Sequence, residues 1–130
     1  MKKKFSMDWK SSSKPRKQRT FRLRAPLHVR QKFVGAHLSK DLRQKHKKRS
    51  MGLRKGDKIM VISGSFKKHE GKVERIDLKK TRVFVSGAEL TKKDGTKKLI
   101  AVHPSNIMIT ELSLDDKQRQ KSLERIKIKK

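Results

Sequence analysis

Five histidines, His28, His37, His46, His69 and His103, are the side chains of this sequence best suited to proton transfer or metal binding, and their spacing serves neither. None stands four residues from another, so no helical turn presents two imidazoles to one ion, and there is no cysteine to complete a zinc site. His69 and Glu70 are an adjacent acid–base pair in principle, but they sit in a basic run with no nucleophile or second carboxylate marked out, and a solvated or ligand-contacting histidine is the simpler reading. The chain also lacks a phosphate-cradling GxxxxGK(S/T) run. A protein without catalysis, metal or cofactor is therefore expected. The chemistry that remains is that of cations. Thirty-nine Lys and Arg oppose twelve Asp and Glu, leaving +27, a charge that a compact fold on its own would feel as strong self-repulsion. A polyanion is the natural partner, and nucleic acid fits best because counterion release from a phosphate backbone drives association.

Those cations are unevenly placed. Residues 1–54 carry a net +17, residues 55–110 +7 and residues 111–130 +3. The N-terminal third is thus the expected phosphate-binding arm. Its first part, residues 1–24, mixes Ser11, Ser12, Ser13 and Pro15 with Lys14, Arg16, Lys17, Arg19, Arg22 and Arg24, too polar to build a core, and is expected to stay extended until it meets RNA. There its arginines can fork onto phosphates and stack on unpaired bases. Trp9 and Phe21 suit stacking too, with a packing anchor against protein as the alternative for Trp9.

The elements that must position these groups follow in order. From Pro26, the repeat of Val29, Phe33 and Ala36, widened by Leu27, Val34 and Leu38, predicts a helix that Gly35 weakens or ends. Ser39 reads as the N-cap of a second helix from Lys40 to about Lys47, with Asp41 favourable in its first turn. Its Arg43, Lys45, His46, Lys47, Lys48 and Arg49 have too few acidic partners for a neutral face, which points to an anionic surface against them. Residues 50–54 read as a connector.

Residues 55–77, KGDKIMVISGSFKKHEGKVERID, are the sharpest stretch. Ile59 and Val61 alternate with Met60 and Ile62, a run able to bury both faces; Gly64 stops it, and after a basic loop Gly71 opens a second β-favouring run, so a hairpin is expected. Gly71 needs either a positive φ or a close approach of another strand. Further strands are expected at Arg82–Ser86, closed by Gly87, and around a turn in which Asp94 and Gly95 supply positive φ angles. Leu99–Val102 returns, His103, Pro104, Ser105 and Asn106 form a corner, and Ile107–Ile109 is a last short strand. Five or six such strands with tight turns suggest a small closed barrel. Ser113 reads as the N-cap of a tail helix with a weak stripe of Leu114, Leu123 and Ile126 and a frayed KIKK end, docking on RNA or a neighbouring protein.

The 55–77 stretch resembles the KOW motif of RNA-binding ribosomal proteins and elongation factors, with Lys68 standing where many members carry glycine. Taken together, SKPRKQR (13–19), APLHVRQKFVGAHLSKDLRQKHKKRS (25–50), the KOW segment, KKDGT (92–96) and HPSNIMI (103–109) resemble one family, the KOW-bearing large-subunit ribosomal protein numbered twenty-four, in its archaeal and eukaryotic form. The resemblance implies a mainly β fold: an SH3-like barrel over 55–110, preceded by a basic arm (1–24) and a helical basic extension (25–54) and followed by a helical tail (111–130). It also implies binding to large-subunit rRNA in the 5′ domain near the polypeptide exit tunnel, neighbouring large-subunit proteins as partners, and a role in early subunit assembly. Carried over by position, Ser63, Gly64, Lys67, Lys68 and His69 of the loop and His103, Pro104 and Asn106 of the corner are the implied RNA-facing set. With the arm and Arg43, Lys45, His46, Lys48 and Arg49, they make up the expected interface. No long apolar run suggests a membrane span or signal peptide, no homo-oligomer is expected, and a cytoplasmic location in the large ribosomal subunit is expected, with which the absence of cysteine is consistent. Competing readings are an elongation factor, which would share only the barrel, and a chromatin-like DNA binder, which would leave HPSNIMI unexplained.

Overall fold

The computed structural model describes residues 5–6 and 12–125; Trp9, Ile126 and the KIKK end lie outside the described residues. Seven strands form one sheet in the order β2-β1-β7-β3-β4-β5-β6: β1 (Gly35–Leu38), β2 (Ser50–Gly52), β3 (Lys58–Val61), β4 (Glu70–Asp77), β5 (Arg82–Thr91), β6 (Lys97–Val102) and β7 (Ile107–Glu111). The expected β3–β4 hairpin is present, pairing Lys58 with Lys72 and Met60 with Glu70. Ile59 (0%) and Val61 (2%) are buried while Ile62 is 41% exposed, so this run covers the core with one face and not both. Gly71 has no positive φ. Its reason is close approach: a Cβ there would lie 2.5 Å from the Ser86 carbonyl oxygen and 2.8 Å from Val85 Cγ1.

The sheet is not the closed barrel expected. A strand has two hydrogen-bonding edges, and both edges of β7 are taken, by β3 on one side and by parallel β1 on the other, leaving β6 unable to close onto it. The strand that intervenes comes from a segment expected to be helical. Helix α2 (Leu27–Phe33) stops before Val34, and Val34, Ala36 and Leu38 then alternate inward against exposed or half-exposed Gly35 and His37, the period-two pattern of a strand. Ser50–Gly52, expected as a connector, pairs antiparallel with β1. Residues 25–54 are thus part of the β unit as well as a helical extension to it. Helix α3 (Lys40–His46) forms as expected, with the Ser39 hydroxyl accepting from the Leu42 N–H at 3.4 Å.

Residues 15–24, expected to be extended, form helix α1 (Pro15–Arg24). Proline occupies its first turn, its interior is Arg, Lys, Gln and Leu with little β-branching, and Arg22 and Arg24 lie at the C-terminal end where the dipole favours cations. Phe21 packs edge-on to Phe33 of α2 at 6.2 Å. Arg30 pins the junction, donating from Nε to the Ala25 carbonyl at 2.8 Å, from Nη1 to that of Lys79 at 3.2 Å, and from Nη2 to that of Leu23.

β5 does not end at Gly87 but runs on past it, with the β5–β6 register shifting between Phe84 and Glu89. In the 92–96 turn only Gly95 takes a positive φ (80°); Asp94 instead accepts from the Thr96 N–H and hydroxyl at 3.2 and 2.8 Å, which holds its carboxyl below the usual range. A short 3-10 turn (Pro104–Asn106) leads into β7.

Helix α4 (Lys117–Glu124) is capped by Asp116, whose carboxylate accepts from the Gln118 N–H at 2.8 Å, and not by Ser113. Ser113 is engaged earlier: its N–H donates to Asp57 and its hydroxyl to Asp115. Arg119 of α4 reaches into the fold and meets Asp57 through two parallel bonds, Nη1 to Oδ1 at 2.6 Å and Nη2 to Oδ2 at 2.8 Å, with both side chains almost fully buried (3% and 0% exposed). Arg119 also donates to the Gly52 carbonyl at 3.2 Å. The tail is thereby tied to the end of β2.

Candidate nucleic-acid interface

The loop between β3 and β4 is held by its backbone. Lys68 N–H donates to the Val61 carbonyl at 2.8 Å, Lys67 N–H to that of Gly64 at 3.1 Å, and Val61 N–H to that of His69 at 2.9 Å. This closes a tight turn from which Ser63, Gly64, Lys67 and Lys68 project exposed. Lys68 itself adopts φ 69°, the left-handed conformation that makes glycine the easier residue at this position. His69 is turned inward: its Nε2 lies 2.8 Å from the Ser86 carbonyl and its ring meets Phe66 at 6.2 Å. It is half-buried and holds the loop to β5.

The corner meets the loop directly, since Ile62 N–H donates to the Asn106 carbonyl at 2.8 Å. His103 caps the corner, its Nδ1 2.7 Å from the Ser105 hydroxyl. Burial first, then the nearby charges of Arg82 and Arg22, push its imidazole below the ordinary value of 6.5. Arg22 belongs to α1, and its charge is felt at the corner. Pro104, also in the expected set, does not reach the surface. It is fully buried, a ring that shapes the corner from beneath and cannot face a partner.

Helix α1 displays Arg16, Lys17, Arg19, Arg22 and Arg24 to solvent, with Lys14 just before it and no acidic residue in its length. Helix α3 exposes Arg43 and Lys45, although Arg43 also donates from Nε to the Leu38 carbonyl at 2.7 Å; His46 is half-buried and Arg49 exposed. Lys48 is diverted: its ammonium donates to the Ser122 carbonyl and hydroxyl at 2.8 and 3.0 Å, tying α4 to the end of α3.

Sequence reasoning missed the internal users of charge. Arg30, Asp57 and Arg119 read as ordinary members of a charged chain. A lone Asp beside a β-run, with an arginine 62 positions later, carries no local signal of a buried pair. Among the described residues no group of His, Asp and Glu could hold a metal ion, and no helix is long and apolar enough to cross a membrane.

Residues 12–126 match the family described as ribosomal proteins L26 in eukaryotes and L24 in archaea. The chain is similar to the large ribosomal subunit protein uL24 of Methanosphaera stadtmanae, 46% identical over 114 residues that span 88% of this chain and 97% of that one. It is equally similar to the uL24 of Methanothrix thermoacetophila, 46% identical over 114 residues, 88% of this chain and 98% of the relative.

Proposed function

Because the chain belongs to the family of eukaryotic L26 and archaeal L24 ribosomal proteins, it is a structural constituent of the large ribosomal subunit and not an enzyme, and we propose that it works there by clamping large-subunit rRNA. The rRNA contacted is the 5′ domain, close to the polypeptide exit tunnel, and binding it early promotes subunit assembly. Neighbouring large-subunit proteins complete its surroundings in the cytoplasmic ribosome.

The observation that carries this reading is the meeting of the 63–69 loop and the 103–106 corner through the Ile62–Asn106 hydrogen bond, which sets the exposed Lys67 and Lys68 beside the corner. The rigid part presents Lys67, Lys68, His103 and Asn106, while α1 offers a row of guanidinium and ammonium groups to phosphates. Recognition of this kind reads RNA shape more than base sequence. In this division of labour residues 1–24 supply phosphate contacts, 25–54 add Arg43, Lys45 and Arg49, and 55–110 set the register.

Binding of a 5′-domain rRNA transcript as a function of salt tests it. Replacing Arg16, Lys17 and Arg19 together by Gln is expected to lower the log–log salt slope by about 2 to 3, since each lost phosphate contact removes roughly 0.7 to 0.9. An unchanged slope would exclude the helix from the interface. Retention on large subunits through a high-salt wash checks that the protein is an integral component.

A further inference from the structure

We propose that the outer face of β4, β5 and β6 is a second RNA contact, a groove that takes an unpaired nucleotide by stacking its base on the guanidinium of Arg75. This second contact rests on the rRNA reading above and lies outside the arm, the loop and the corner. A groove of about 780 Å³ runs across this face, lined by Lys55, Lys72, Arg75, Phe84, Lys98 and Leu99 among others. Arg75 lies opposite Phe84 in the β4–β5 ladder, and its guanidinium carbon sits 4.3 Å from the Phe84 ring centroid. A register shift between Val73 and Arg75 produces this: Val73 stays buried while Arg75 turns outward. Ala101, the neighbour of Phe84 on β6, is too small to cover the pair.

A guanidinium held on one face by an aromatic ring keeps its other face for a second flat group, and such planes are stacking platforms for unpaired bases. The rim identifies the rest of the ligand. Lys55, Lys72 and Lys98 are exposed and make no ion pair among the described residues, Lys97 approaches Glu89 only at 3.8 Å, and Glu74 is the one acid lining the groove. Cations around a floor of Phe84 and Leu99 suit phosphates flanking a base. A bare phosphate would leave that floor unused. Paired RNA keeps its bases stacked inside the helix, so a bulge, loop or single strand is the form that fits.

The test separates stacking from charge. The full chain is titrated with fluorescein-labelled octauridylate and with an abasic octamer carrying the same phosphates, at about 150 mM salt. The wild type is expected to prefer the octauridylate by about tenfold, the effect of one stacked base. Arg75→Lys, which keeps the charge and loses the plane, is expected to bring that ratio to about one. Lys72→Gln should leave the ratio alone and reduce the salt slope by about one. A wild-type ratio near one, or a tenfold ratio that survives Arg75→Lys, overturns the groove while 5′-domain binding still stands on its own transcript assay. An octaglutamate peptide that displaces octauridylate as well as unlabelled octauridylate does would overturn it too, in favour of an acidic protein partner.

Discussion

Replacing Arg119 by methionine keeps an apolar stem of similar length in α4 but deletes the guanidinium that meets Asp57 at 2.6 and 2.8 Å. Asp57 remains wholly buried, and in the variant its charge has lost its partner. Breaking a buried pair from one side typically destabilises by about 3 to 5 kcal/mol. Two bonds survive, from the Arg54 N–H at 2.8 Å and the Ser113 N–H at 3.0 Å, which places the expected loss at the lower end, about 3 kcal/mol. Against a total stability of roughly 5 to 15 kcal/mol, that is a large fraction. Urea unfolding of the RNA-free protein, followed by far-UV circular dichroism, should show a midpoint lower by about 1 to 2 M. Proteolysis between Leu112 and Lys117 should quicken as α4 leaves the end of β2. The double variant Asp57→Asn with Arg119→Met removes the stranded charge and should recover part of the loss. A single-variant effect under about 1 kcal/mol, the range of an exposed ion pair, would refute the reasoning, and so would a double variant as unstable as the sum of the singles.

Gly71→Ala puts a Cβ 2.5 Å from a backbone carbonyl that has no rotamer to yield with, so a loss of about 1 to 3 kcal/mol is expected in the same unfolding assay, and equal stability would refute the close-approach account. Lys68→Gly should do two opposite things, because Lys68 holds φ 69° at an exposed tip. Stability rises by about 1 kcal/mol as left-handed strain is relieved, while the salt slope for rRNA falls by about one; a destabilised variant would dispose of the strain, an unchanged slope of the phosphate contact. His103, held below its ordinary 6.5 by burial and then by Arg82 and Arg22, binds a proton more readily unfolded than folded. Stability is therefore full above pH 6.5 and declines as pH falls from there through the folded value, and His103→Gln should flatten that decline; an unaltered pH profile would assign it to other groups.

The parts of the fold legible in the sequence are those decided by neighbours in the chain. The β3 strand, the turn at Gly64, the Ser39 cap and the turn at Gly95 each carry their signal within a few residues, although β3 buries one face only and Asp94 keeps a negative φ. Where sequence and structure part, a local pattern admits two periods. Val34, Ala36 and Leu38 fit both the flank of a helical stripe and a period-two strand, and the choice is made by β7, some 70 residues away, whose free edge β1 occupies in parallel. That same long-range pairing keeps the sheet open. For residues 15–24 the difference is of another kind: a composition too polar for a core is not too polar for a helix, because Arg, Lys, Gln and Leu after a first-turn proline need no core to favour one.

The candidate interface is legible in the sequence as a sum of charge but not as a distribution of tasks. A chain with 39 cations offers many equivalent candidates for phosphate contact, and sequence distinguishes none that the fold has already engaged. Arg30 donates to three carbonyls, Lys48 holds Ser122 and Arg119 neutralises Asp57; these cations are engaged inside the molecule. Lys67 and Lys68 are exposed because the loop backbone satisfies itself, and Arg75 is displayed because a bulge turns it outward onto Phe84. In a protein this basic, function is therefore set less by which residues are charged than by which charges the fold leaves without an internal partner. Those are the ones whose removal should change the salt slope while leaving the unfolding midpoint alone, and the internally engaged cations should do the reverse.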